Sequence, residues 1–185
     1  ARMDAKGRMR SVIERPLSRG NQKVSLSALA YMFSELIQHC QSQIDKGEDL
    51  EKRLLECGYS VGLRVLELLS YREKGCKKEK GVIQVLNFVR TTVWKTLFGR
   101  QADDLQISNA KKNEYYIYDK SPVTCKYVSA PNSSRGAAYT AGIINGILDG
   151  ADFPCEVKAV LSKDTRMVFV ISFSQKVIDR ESRQQ

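Results

Sequence analysis

Glu114-Tyr-Tyr-Ile-Tyr-Asp119 marks the point where this chain changes its period. Before it, apolar residues recur every three or four positions. From here on, aromatic and β-branched residues crowd into short runs that suit a pleated, half-buried surface. Val123 to Ser129 is another such run, and Lys120-Ser121-Pro122 supplies turn chemistry between the two, so a hairpin is expected. A second hairpin is expected from Glu156 to Leu161 and Arg166 to Phe173, around Ser162-Lys163-Asp164-Thr165. Val157, Ala159 and Leu161 alternate, which buries one face of their strand, whereas Met167 to Ile171 is apolar on both faces and reads as an interior strand. Between the hairpins, Pro131 to Gly136 reads as loop and Ala137 to Leu148 as a helix. Its Gly142 and Gly146 are expected to let that helix lie close on the sheet.

Working back toward the N-terminus, three helices are expected. Ser25 or Ser27 caps the first, in which Leu26, Leu29, Ala30, Phe33, Ile37, Cys40 and Ile44 form one apolar stripe. Asp45-Lys46-Gly47 ends it. The second runs from about Asp49 to Lys74, with Leu50, Leu54, Cys57, Val61, Val65 and Leu68 on its buried face. Gly58 and Gly62 interrupt it at a cost of roughly 1 kcal/mol each against alanine, so another backbone is expected to come close there. The third, about Lys80 to Phe98, is apolar on nearly all sides, which places it at the centre of a core or under a partner. The element order predicts an α+β fold in a single domain: three helices, then an antiparallel four-stranded sheet of ββ-α-ββ order with a helix packed on it. Residues 1–24 read as a basic extended arm, 25–173 as the folded domain and 174–185 as a charged tail that frays after a short helix.

The net charge of +9, from 30 basic and 21 acidic residues, is unevenly placed. The first 24 residues carry Arg2, Lys6, Arg8, Arg10, Arg15, Arg19 and Lys23 against Asp4 and Glu14, a local excess of five. A second basic cluster is Arg72, Lys74, Lys77, Lys78 and Lys80, diluted by Glu73 and Glu79. Such fields attract nucleic acid, anionic lipid or an acidic protein face, although a solvated tail and turn account for them as well. Ala1 to Arg10 has no apolar segment of the kind a secretory signal needs, and no window approaches the ~18 apolar residues of a membrane span. The five cysteines, Cys40, Cys57, Cys76, Cys125 and Cys155, are widely spaced, with no Cys-x-x-Cys pair. They point to a reducing, cytoplasmic setting.

A search for reaction chemistry returns little. His39 is the sole histidine, which argues against a zinc ligand set and against nucleophile–histidine pairs. Neither phosphate-binding glycine motif is present. Asp103-Asp104 and Asp149/Asp152 read as caps or solvated groups. No metal, cofactor or catalytic residue is expected. Two other readings stay open. A basic nucleic-acid-binding domain is suggested by the charge and by Phe169 and Phe173 on one strand, although a core strand accounts for them better. An apolar small-ligand pocket module would need a deep cavity behind the third helix.

Five further stretches, read together, carry a resemblance. They are Val24-Ser-Leu-Ser-Ala-Leu-Ala-Tyr-Met-Phe-Ser-Glu-Leu-Ile-Gln-His-Cys40, Gly58-Tyr-Ser-Val-Gly-Leu-Arg-Val-Leu-Glu-Leu-Leu69, Trp94-Lys-Thr-Leu-Phe-Gly-Arg-Gln-Ala-Asp-Asp-Leu105, Ala141-Gly-Ile-Ile-Asn-Gly-Ile-Leu148 and Phe153-Pro-Cys-Glu-Val-Lys-Ala159. In this order they resemble the small-subunit family of the TRAPP (transport protein particle) tethering complex, from about Ser11 to Phe173. Two positions depart from the family pattern: Arg135-Gly136 stands where Asn-Cys is usual, and Asp152 where Gly is usual. The resemblance implies a non-catalytic core subunit that pairs with homologous TRAPP small subunits. The resulting elongated assembly docks a Rab-family GTPase in ER-to-Golgi transport and promotes nucleotide exchange. It implies a cytoplasmic location peripheral to endoplasmic reticulum and cis-Golgi membranes, with membrane contact possible and no nucleic acid. The expected heterodimer interface is Leu26, Leu29, Phe33, Ile37, Val61, Val65 and Leu68, burying about 800 Å² per partner. The arm residues Arg2, Lys6, Arg8 and Arg10 would steer the GTPase tail or anionic lipid. Cys76 lies two residues from where the family's founding member is acylated, and its charged flanks favour an ordinary loop thiol.

Overall fold

The computed structural model describes residues 24–43, 49–72, 81–108, 111, 113–126, 133–162 and 166–183. The basic arm, Cys76 and most of the second basic cluster lie outside these residues. Helix α1 (Leu26–Ser42) begins at Ser25, whose hydroxyl oxygen accepts from the Ala28 amide at 3.2 Å. α2 (Leu50–Arg72) follows, then a continuous helical run made of α3 (Val82–Phe88), a π turn (Val89–Val93) and α4 (Trp94–Phe98). The π turn has a packing reason. Hydrogen bonds to the fifth residue widen the turn and bring Trp94 one full turn beyond Val89, so Val89, Val93 and Trp94 are all buried. Gly99, at φ 75°, closes α4 in the left-handed conformation.

Four antiparallel strands follow in the order β1-β2-β4-β3: β1 (Asp104–Ile107), β2 (Glu114–Asp119), β3 (Cys155–Leu161) and β4 (Met167–Phe173). The fold is α+β with a four-stranded antiparallel sheet, as the periods require. The first hairpin has a different partner, however. Val123–Cys125 is a 3₁₀ turn, and β1 pairs with β2 from Asp104↔Tyr118 to Ile107↔Tyr115. With β4 on its other edge, from Glu114↔Ser172 to Asp119↔Met167, β2 has no free edge left for Val123 onward. Thr124 instead turns inward, with its hydroxyl 3.0 Å from that of Thr140. β4 is interior, as expected, and is paired on both sides like β2, with Phe169 and Ile171 fully buried.

Helix α5 (Ser133–Gly150) starts earlier than the loop expected over 131–136 would allow. Its glycines also meet something other than the sheet. A Cβ on Gly142 would lie 2.9 Å from the Leu55 carbonyl carbon, and one on Gly146 would lie 3.0 Å from that of Tyr59. Reciprocally, Gly58 faces the Tyr139 carbonyl and Gly62 that of Ile143. Two Gly-x-x-x-Gly faces therefore meet as α2 and α5 run side by side in the same direction, backbone against backbone. The close approach expected at Gly58 and Gly62 is present, and its partner is α5. The opposite side of α5 covers the sheet through Ile144, Ile147 and Leu148, completing a core with Val82, Leu86, Trp94, Phe153 and Phe169. Trp94 meets Phe169 edge-on at 5.6 Å, a contact worth about 1 kcal/mol beyond area burial.

The short helix expected in the C-terminal segment is present and anchored to the fold. In α6 (Gln175–Ser182), Val177 is buried and Arg180 grips the turn before β3. Its guanidinium donates to the Asp152 carboxylate at 2.9 Å and to the Asp152 carbonyl at 2.8 Å, and lies 4.6 Å over the Phe153 ring. Glu181 accepts from the Val82 amide at 3.2 Å, occupying an otherwise open donor at the start of α3. Asp152 itself sits at φ 71°, the one non-glycine residue in the left-handed region among those described.

Candidate partner-binding surface

The two sides of α1 differ in what they meet. Its inner side carries Phe33, 5.3 Å from the Tyr139 ring, and Cys40, which packs with Leu50 and Leu54 of α2. Leu36, Ile37 and Cys57 border this small cluster, which is separate from the main core. The outer side carries Tyr31, 78% exposed, and Met32, 66% exposed, next to exposed Ala28 and Glu35 at helical spacing. Val24 is exposed just before the cap. By contrast, the exposed side of α2 is polar: Lys52, Arg53, Glu56, Ser60, Arg64 and Glu67. Only Tyr71, near its end, adds a large exposed apolar side chain.

The residues expected at an interface are thereby separated. Phe33 is buried within the chain, Ile37 packs beside the small cluster, and Val61 and Val65 pack against the main core. Leu26, Leu29 and Leu68 are not buried in the core of the chain. Tyr31 and Met32, which lie off the apolar stripe in sequence, are the large apolar side chains most exposed on α1. The only sign of them in the sequence is that α1 is apolar on a second side.

The segment from Trp94 to Leu105 forms a corner between helix and sheet. Asp119, 1% exposed, accepts from Trp94 Nε1 at 2.9 Å and from the Ser121 amide at 2.9 Å, and pairs with the Arg100 guanidinium. Arg100 also donates to the Ser121 carbonyl at 2.7 Å, and Asp103 accepts from the Lys120 amide at 2.7 Å. Arg90 exchanges with Ala102, whose amide donates to the Arg90 carbonyl at 3.1 Å. These groups are spent on holding α4 to β2.

The other chemically suggestive residues are engaged in the same structural way. Asp149 accepts from the Tyr59 hydroxyl, which pushes that phenol above its ordinary value, and Asp152 holds Arg180. His39 is exposed. Burial pushes the Cys125 thiol up to about 11 and that of Cys155 up to about 12. Phe169 and Phe173 are buried, so neither offers a face for base stacking. Among the described residues there is no group of three metal-ligating side chains, and no helix is long and apolar enough to cross a membrane.

Comparison with known proteins decides the family. The model of the transport protein particle (TRAPP) component family matches residues 29–174. This chain belongs to that family. Among its relatives, "Trafficking protein particle complex subunit 5" of Dictyostelium discoideum is 44% identical over 180 residues, covering 93% of this chain and 97% of the relative. The human protein of the same name is 42% identical over 174 residues, covering 92% of each. In structure, a trafficking protein particle complex subunit 3 from Naegleria fowleri, solved covalently bound to palmitic acid, superposes with a TM-score of 0.67. That match covers 81% of this chain and 95% of the other at 16% identity, which establishes a shared TRAPP fold and no more.

Proposed function

We propose that this chain is a core subunit of a transport protein particle, corresponding to subunit 5 of its relatives, and acts as scaffold rather than catalyst. Its end-to-end similarity to those relatives carries the reading. In this role it pairs with homologous small subunits and braces an assembly that promotes nucleotide exchange on a Rab-family GTPase. Its setting is the cytoplasmic side of endoplasmic reticulum and cis-Golgi membranes, in vesicle transport between them. The exposed Tyr31 and Met32 form the part of α1 that a sister subunit covers, and the half-buried Leu26, Leu29 and Leu68 with exposed Tyr71 are further apolar residues of α1 and α2 available to it. Phe33, Ile37, Val61 and Val65 contribute from beneath by fixing where α1 and α2 lie.

Affinity capture of the tagged chain from its own cells, with the recovered proteins identified by mass spectrometry, tests this directly. Other transport protein particle subunits in fixed proportion are the expected result. Recovery of the chain alone, or with nucleic acid and no sister subunit, refutes it. Particles assembled with and without the chain then test the exchange role, through the rate of nucleotide release from the GTPase.

A further inference from the structure

Five cysteines scattered through the sequence give no sign of pairing, yet the fold brings two together. Cys40 on α1 and Cys57 on α2, 17 residues apart in sequence, place their sulfurs 3.9 Å from each other. Cys40 is almost fully buried, at 2% exposed, whereas Cys57 is only half-buried. The contact lies in the small cluster that fastens α1 to the rest of the fold. We propose that Cys40 and Cys57 are an oxidisable dithiol, which a peroxide converts into a disulfide stapling α1 to α2.

The roles follow from exposure. Cys57 is the sulfur a small oxidant can reach. It attacks one peroxide oxygen, the O–O bond breaks, and a sulfenic acid forms with release of water. Cys40 then attacks that sulfur, the S–O bond breaks and a second water leaves. Two thiols lose two electrons and two hydrogens, and hydrogen peroxide is reduced to two waters. Burial, and then the contact with Cys57, hold the Cys40 thiol above its ordinary value, so it reacts as the resolving partner rather than the first nucleophile. The sulfurs must close from 3.9 Å to about 2.05 Å, and they start in contact between two helices that already pack together. Cys125 and Cys155, raised by burial to about 11 and about 12, are poor competitors. The consequence reaches Tyr31 and Met32, because they ride on the helix that the staple fixes.

The test uses the full chain treated with hydrogen peroxide at neutral pH, then alkylated under denaturing conditions and digested without reductant. The expected product joins the Cys40 and Cys57 peptides, two hydrogens lighter than the reduced pair, and is reversed by dithiothreitol. Amide exchange across α1 should slow by about tenfold or more on oxidation, since the cross-link limits its local opening. Cys57→Ser should abolish the product and leave Cys40 alkylatable. Cys40→Ala does the same from the other side, which guards against one variant failing to fold. The proposal is overturned if both thiols remain free, if Cys57 links to another cysteine such as Cys76, or if Cys57 oxidises further without linkage. A disulfide that forms without slowing α1 exchange overturns the staple.

Discussion

Replacing Gly142 by alanine should destabilise the protein, although alanine is the better helix former. In the interior of an exposed helix the exchange is favourable by about 1 kcal/mol. Here the added methyl would lie 2.9 Å from the Leu55 carbonyl carbon and overlap the carbonyl oxygen. The obstacle is backbone, so no rotamer change can relieve it and the two helices must part. Overpacking of this kind costs about 1–3 kcal/mol, and with rigid backbone on both sides the upper end applies. The net expectation is a loss of about 1–2 kcal/mol, lowering Tm by about 2–8 °C for a chain of this size. Gly62→Ala, against the Ile143 carbonyl, should behave alike. The double variant Gly58→Ala/Gly142→Ala should cost less than the sum of its parts, because both act on one crossing that opens once. Ser60→Ala, on the exposed side of α2, is the control and should leave Tm unchanged or slightly raised. Thermal unfolding followed by circular dichroism reads all of these. If Gly142→Ala matches or exceeds the stability of the wild type, the backbones are not in contact and the reasoning about α2 and α5 is wrong.

Three other perturbations probe separate parts of the fold. Asp119→Ala strands Trp94 Nε1, the Ser121 amide and Arg100 at a nearly buried corner, so it should cost about 3 kcal/mol in urea unfolding, with Asp119→Asn costing less. Arg180→Ala should cost about 1 kcal/mol and speed amide exchange in α6 and at Val82, leaving the sheet protected. Glu114 is held below its ordinary value by its hydrogen bond to Lys111. The stability this adds is present above the unfolded carboxyl's value near 4.5 and is lost as pH falls through the lower folded value. Glu114→Gln should therefore lose this small contribution at neutral pH, match the wild type at low pH, and so flatten the acid limb of a stability–pH curve. An unaltered acid limb would count against the pairing.

How much the sequence discloses depends on whether a residue's role is local. Gly58 and Gly62 announce a close approach, because glycine inside a long helix gives up helix stability and gains only room. The identity of the approaching element is hidden, since Gly142 and Gly146 could equally face a sheet or a helix. β1 leaves little trace because Asp104-Leu-Gln-Ile107 has only two apolar residues and owes its strand conformation to pairing with β2. Val123 onward misleads for the complementary reason: its β-branched residues have no open edge to join. On α1 the difficulty is one of choice. Phe33 and Ile37 form the regular stripe, but that stripe serves the chain's own packing. Tyr31 and Met32 face outward, and periodicity cannot tell which of two apolar sides a helix keeps for itself. The pairing of Cys40 with Cys57 is equally out of reach, since it depends on how α1 lies on α2.

The central claim is that the outer side of α1 is covered by a sister subunit. Native mass spectrometry of the chain co-expressed with another transport protein particle small subunit, as wild type and as Tyr31→Asp/Met32→Asp, addresses it most directly. A one-to-one heterodimer for the wild type and separate folded monomers for the double variant are predicted. A wild-type chain that stays monomeric beside its sister, or a double variant that pairs just as well, would contradict it.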